Sequence, residues 1–185
     1  MAEAPKHHIV YGNIKDFITG EELPDTDDER FRQELARFLV EKKGFNRDEI
    51  TPRLTIPTCF SGNKVCSRID FLVSINDIPF MVLRYGPGSI VTRQRSAVAA
   101  ARVLKDRMAA RAVATNGQDA AVMDVITGKV VGEGMDAIPS REDAIQILKD
   151  FNPPLLSEEK KEREYRILNA YDVDMCSIYR AGPPG

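Results

Sequence analysis

Asp70 is the one acid in the run 65–75, VCSRIDFLVSI, which reads as a strand covered on both faces. A carboxylate placed there gives up its hydration, so it needs a cation, a metal ion or a hydrogen-bond network beside it. Four other groupings could carry chemistry. Gly86, Pro87, Gly88 and Ser89 precede a helix start at Thr92, and backbone N–H groups at such a junction can hold a phosphate. That loop lacks the lysine and spacing of a P-loop and the third glycine of a dinucleotide turn, so no bound nucleotide is expected. Contact with a DNA phosphate suits it better. Arg93, Arg95, Arg102, Lys105, Arg107 and Arg111 stand against a single acid, Asp106. Such a helix can hold a phosphate backbone, and a solvated surface is the competing reading. Cys59 and Cys66 fall opposite each other if the loop between their strands is two residues long. Two small buried thiols is the plainer reading of that pair, and a redox couple is the other. The only histidines, His7 and His8, sit near the start of the chain. Histidine triads and histidine zinc sites are therefore not expected in the core.

The elements that must position these groups are legible in outline. Thr26 and Glu29 form a capping box, and Phe31, Leu35, Phe38 and Leu39 repeat at helical spacing until Gly44, which predicts a helix over 27–43. Strands are expected over 53–60 and across the Asp70 run, with Gly62-Asn63 as the turn between them. Asn76-Asp77 is a turn into a third strand that ends before the glycine loop. Ala97, Ala101, Leu104 and Met108 make an inward stripe on the basic helix, with Arg95 and Arg102 on the opposite face. Short strands follow near 112–115, 120–125 and 129–132. Ser140 caps a helix that Pro153-Pro154 stop, and Ser157 opens a last, heavily charged helix. Helix, three strands, helix, strands, helix, helix is the order of a mixed α/β domain with a central sheet.

At 185 residues with net charge −2 the chain suits one domain with its own core, and no global charge draws it to nucleic acid or membrane. No apolar run approaches the ~20 residues of a membrane span, and the start carries no secretion-type apolar stretch. Three cysteines without metal-type spacing fit a reducing compartment, and the cytoplasm is the expected location.

In order and spacing, several stretches resemble the N-terminal nuclease domain of type I restriction enzyme R subunits, within the PD-(D/E)XK nuclease superfamily. They are Glu29-Arg30-Phe31-Arg32, Leu39-Val40 and Lys43-Gly44-Phe45 in the first helix, then Arg68-Ile69-Asp70-Phe71 and Pro79-Phe80-Met81-Val82 in the strands. Gln94 in the next helix and Thr115-Asn116-Gly117 complete the pattern, over about residues 19–139. The resemblance implies a restriction-endonuclease-like core, a central mixed β-sheet flanked by helices. It also implies a site in which Asp and the Glu of Glu-x-Lys bind Mg2+ while the Lys helps activate water. Here the Glu-x-Lys positions read Val82-Leu83-Arg84. Valine binds no metal, and arginine has no accessible neutral form with which to act as a base. Between Asp77 and Asp106 there is no acid at all, so a second carboxylate would have to come from the first helix, at Glu29, Glu34 or Glu41. Gln94 is followed four residues on by Val98 where the family often has Tyr. The site reads as decayed, with Asp70 at most a weak Mg2+ ligand. An Asp70–Arg84 pair is expected in its place, provided that the turn at Asn76-Asp77 acts as three residues; a strict two-residue turn sets Asp70 opposite Leu83.

The divisions that follow are an N-terminal extension over 1–20, the restriction-endonuclease-like domain over 21–152, and a charged helix and tail over 153–185. The leading expectation is a stand-alone, catalytically degenerate domain that binds nucleic acid or assists DNA restriction or repair, with Arg93, Arg95, Arg102 and Lys105 on the phosphate backbone. The alternatives are an active Mg2+-dependent endonuclease with a migrated carboxylate, and a dimerisation or protein-interaction module that keeps only the fold. DNA, a second copy or a restriction partner protein are the expected partners, with no resident cofactor unless Mg2+ serves an active site.

Overall fold

The computed structural model describes residues 9–60, 63–104, 107–171 and 174–175. Thr26 accepts a hydrogen bond from the Glu29 N–H at 3.2 Å and starts α1, Asp27–Glu41. Leu35, Ala36 and Leu39 form its buried stripe. Gly44, at φ +78°, then turns the chain in a conformation that strains other residues. Ahead of α1, β1 (Gly12–Lys15) and β2 (Glu22–Asp25) pair as an antiparallel hairpin that crosses the boundary drawn at residue 20.

The main sheet contains β3 (Ile50–Phe60), β4 (Asn63–Ile75), β5 (Ile78–Tyr85), β6 (Arg111–Thr115), β7 (Ala120–Asp124) and β8 (Val130–Glu133), side by side in that order. A short β9, Asp174–Met175, pairs with β4. β5 and β6 are parallel, joined through α2 (Val91–Arg102), and the other neighbours are antiparallel. α3 (Arg141–Asp150) starts at a Ser140–Asp143 capping box, and α4 (Glu158–Tyr171) follows it. One core, with Leu35, Leu39, Phe71, Leu83 and Ala144, lies between the sheet and α1 and α3. A second, with Val82, Ala97, Ala101, Ala112 and Leu168, lies between the sheet and α2 and α4. The mixed sheet flanked by helices is therefore as expected.

Three local readings change. Asn76 and Asp77, at φ +49° and +64°, do form a two-residue turn. An irregularity at Val73/Ser74 then shifts the β4–β5 register by one residue, giving Phe71↔Leu83, so the register beyond it is the one expected of an effectively three-residue turn. Helix α2 stops at Arg102, short of the stretch expected to reach Arg111. All residues from Ser96 to Ala101 are buried, because small side chains let α2 sit closely between the sheet and α4. Cys59 is opposite Lys64 and Cys66 opposite Pro57, so the cysteines are not cross-strand neighbours. Cys66 belongs to a disulfide, which corrects the reading of two free thiols, and the Cys59 side chain lies outside the described residues, as does Gly62. The final charged helix is part of the core, since Leu168 is fully buried against α2.

Candidate functional site

Asp70 sits where β4 changes face. Ile69 packs in the α2 core and Phe71 in the α1 core, although alternation would put both on one side. Opposite this break Arg53 has φ +54°, and the β3–β4 register skips it between Pro52↔Phe71 and Leu54↔Ile69. The Asp70 carboxylate reaches α1, where Oδ1 accepts from Arg32 Nε at 2.6 Å. Its Oδ2 accepts the Tyr85 backbone N–H at 2.7 Å. Both oxygens of a side chain only 11% exposed are thus engaged.

From Asp70 a chain of alternating charge runs inward. Arg32 Nη1 lies 3.5 Å from Glu29 Oε2, and Glu29 Oε1 accepts from Gln33 Nε2 at 2.8 Å and faces Arg53 Nη1 at 3.9 Å. Arg53 donates to Asp16 Oδ2, which Gln33 Nε2 also reaches at 3.2 Å. Asp16 Oδ1 accepts the N–H groups of Ile18 and Thr19 at 2.8 and 2.7 Å. Three carboxylates and two guanidiniums therefore leave a formal charge of −1 in a largely buried cluster. Burial alone would lower the Arg32 pKa, but Asp70, by charge and hydrogen bond, together with Glu29 and Asp28, raises it instead. Burial would likewise raise the Asp16 carboxyl. Arg53, the Thr19 N–H and Gln33 together hold it below the usual carboxylate range.

A depressed folded-state pKa stabilises above the unfolded value of about 3.9, and the contribution is lost as pH falls through the lower folded value. Asp16→Asn should therefore lower the urea midpoint at neutral pH and narrow its gap from the wild type as pH drops below about 4. A gap that stays constant with pH would contradict this role for Asp16.

The face change also decides which residues of β5 accompany Asp70. Leu83 and Tyr85 belong to the α1 core that Asp70 reaches into, whereas Val82 is buried in the α2 core on the other side. The shifted register projects Asp70 onto Arg84, but regular pairing ends at Phe71↔Leu83, and no Asp70–Arg84 ion pair forms. Arg84 Nη2 instead donates to the Arg68 carbonyl at 3.3 Å. Arg32, from α1, takes the partnership expected of Arg84. The β5 side chains that share the α1 face with the Asp70 carboxylate are Leu83 and Tyr85. The Phe31 ring stacks on Tyr85 at 5.7 Å, with the Arg32 guanidinium 5.8 Å from the Tyr85 centroid.

The other expected site residues are dispersed. Of the α1 acids, Glu29 joins Asp70 through Arg32, while Glu34 and Glu41 are exposed to solvent. Gln94 and Arg95 line a groove between α2 and α4 with Arg163 and Glu164. Arg95 is exposed. Arg93 pins the glycine loop, donating to the Ser89 and Pro87 carbonyls at 2.8 Å each. A Cβ on Gly86 would overlap the Arg93 guanidinium, so a side chain there would push Arg93 off the loop. Arg102 is occupied by structure, donating to Glu164 at 2.7 Å and to the Val125 and Ile126 carbonyls at 2.8 and 3.0 Å. Lys105 lies outside the described residues.

This donor set does not fit a divalent cation. Mg2+ at Asp70 would have to displace the Arg32 guanidinium, and Leu83 and Tyr85 offer no carboxylate to complete its shell. Among the described residues no three His, Cys, Asp or Glu side chains converge to hold a metal. Sequence reasoning missed Arg32, Gln33, Arg53 and Asp16 as members of the cluster. A signal existed for two of them, since Glu29, Arg32 and Gln33 fall at i, i+3 and i+4 on one helix face.

The architecture is thus a mixed sheet between two helical layers, with the Asp70 carboxylate reaching its α1 face. The chain belongs to the family of the type I restriction enzyme R protein N terminus (HSDR_N), whose family model matches residues 27–139. Among solved structures it is similar to a fragment assigned as an HsdR subunit of a type I restriction enzyme from Vibrio vulnificus YJ016. The TM-score is 0.46 at 19% identity, covering 59% of this chain and 22% of that one. The chain thus spans about a fifth of that relative's length. No curated protein matches it. Among the described residues no helix is long and apolar enough to cross a membrane.

Proposed function

We propose that this chain serves as a nucleic-acid-binding or accessory domain of the restriction type and does not cleave phosphodiesters. The observation that carries the reading is the Arg32 guanidinium, set 2.6 Å from Asp70 and 3.5 Å from Glu29. A fixed internal cation takes the place between two carboxylates that a catalytic metal would need. Leu83 and Tyr85 on the same face add support, because neither supplies a carboxylate to a Mg2+ shell or an amine in the role of the family's lysine. The family's description as the N terminus of a restriction R protein makes DNA the expected ligand and the cytoplasm the expected location.

The test is fluorescence anisotropy with short DNA duplexes between about 50 and 200 mM salt, run beside a Mg2+ and Mn2+ cleavage assay on the same DNA. Binding that weakens steeply with salt, and DNA that stays intact, is the expected result. Metal-dependent cleavage abolished by Asp70→Asn would overturn it.

A further inference from the structure

The geometry points to a phosphate-binding site in the cavity bounded by Lys15, the 16–20 loop, Arg37 and Arg47. The cavity has a volume of about 430 Å³. Its three cations come from three different elements: β1, α1 and the 3-10 turn Arg47–Glu49. Both guanidiniums lie over the Phe17 ring, Arg37 at 4.6 Å and Arg47 at 4.1 Å from its centroid. Stacking uses the flat face of a guanidinium and leaves its in-plane N–H groups for an acceptor. Phe17 is itself fixed, since its backbone N–H donates to Gln33 Oε1 at 2.6 Å.

The cavity has no counter-ion of its own. Its one acid, Asp16, is 4% exposed and has both oxygens committed to Ile18, Thr19, Gln33 and Arg53. Among the described residues no carboxylate lies within ion-pair distance of Lys15, Arg37 or Arg47. By contrast Arg30, Arg32, Arg53, Arg102, Arg111 and Arg141 each meet one. Two guanidiniums brought to one ring without an acid repel each other, and an external anion relieves that repulsion. A single carboxylate satisfies one such cation. Three convergent ones suit the several oxygens of a phosphate group, which a guanidinium binds through paired N–H donors.

The source of the phosphate is either a nucleic-acid backbone or a free phosphate compound. The first rests on the reading proposed above, and the second stands without it. Both are tested on the full chain with Arg37→Gln/Arg47→Gln, using Arg95→Gln as the control on the α2–α4 groove. Pyrophosphate is followed by NMR shifts of the Phe17 and Thr19 amides, and a DNA duplex by anisotropy. The expected result is that the double variant weakens DNA binding about tenfold or more and lowers the salt slope by about two, one per lost phosphate contact. Its thermal midpoint should hold, because neither arginine makes an ion pair. Should the wild type bind pyrophosphate but no DNA, the site stands as one for free phosphate and the nucleic-acid reading fails. Should the double variant bind DNA and pyrophosphate as the wild type does, the site is refuted, and the nucleic-acid reading survives through whatever Arg95→Gln loses. A double variant with a lowered thermal midpoint is replaced by Lys15→Gln, whose unchanged affinity for both ligands would refute the site equally.

Discussion

Arg32→Met should lose about 3 kcal/mol of stability at neutral pH, in the range found when one partner of a buried charge pair is removed. The loss comes less from the broken 2.6 Å contact than from what remains. Asp70 and Glu29, 9% and 8% exposed, would face each other across an apolar side chain with no cation between them. Urea denaturation measures it, and a second substitution apportions it. Asp70→Asn in the Arg32→Met background removes one of the stranded charges while its amide oxygen can still accept the Tyr85 N–H. The double variant should recover more than half of the loss. A single variant as stable as the wild type would mean that water, not Arg32, balances these carboxylates.

Arg102→Ala should cost a similar amount, roughly 3 kcal/mol, for a different set of stranded groups. Its guanidinium is the clasp between α2, α4 and the turn after β7. It satisfies Glu164, itself 8% exposed, and two backbone carbonyls. Glu164→Gln alone should cost less, because an amide oxygen still accepts from Arg102 and carries no charge to strand. This separates structure from ligand contact at a position that the sequence offers for DNA. A phosphate contact would leave the urea midpoint unchanged on substitution and lower only affinity, whereas a clasp loses stability first.

Local signals in the sequence proved dependable where a few neighbouring residues decide the outcome. Thr26 and Ser140 cap their helices, Asn76-Asp77 turns with positive φ, and Gly44 ends α1. Asp70 was legible as a carboxylate in need of a partner, but the partner was not. Arg32 is 38 positions away, and Arg53 and Asp16 enter only because a hairpin and β3 fold back over α1. The β4 irregularity at Val73/Ser74 and the face change at Asp70 are set by packing on both sides of the sheet, and they leave Leu83 and Tyr85, not Val82, on the face that the Asp70 carboxylate reaches. On α2, alanine gives little contrast between faces, so arginines seven apart suggested a solvated side. In the fold Arg102 on that side is tied to Glu164 of α4, while Arg95 stays exposed in the groove beside it. The basic cavity at Phe17 had no linear signature, since Lys15, Arg37 and Arg47 meet only in three dimensions.

The central claim, that Arg32 occupies the place of a metal ion, is tested most directly by the Mn2+ dependence of thermal stability in the wild type, Asp70→Asn and Arg32→Met. A ligand that binds only the folded state raises its midpoint in proportion to the logarithm of saturation. The expectation is that Mn2+ leaves the wild type and Asp70→Asn unmoved and raises Arg32→Met, where Asp70 and Glu29 are freed. A Mn2+-induced rise in the wild type that Asp70→Asn abolishes would contradict the claim and restore a metal to this site.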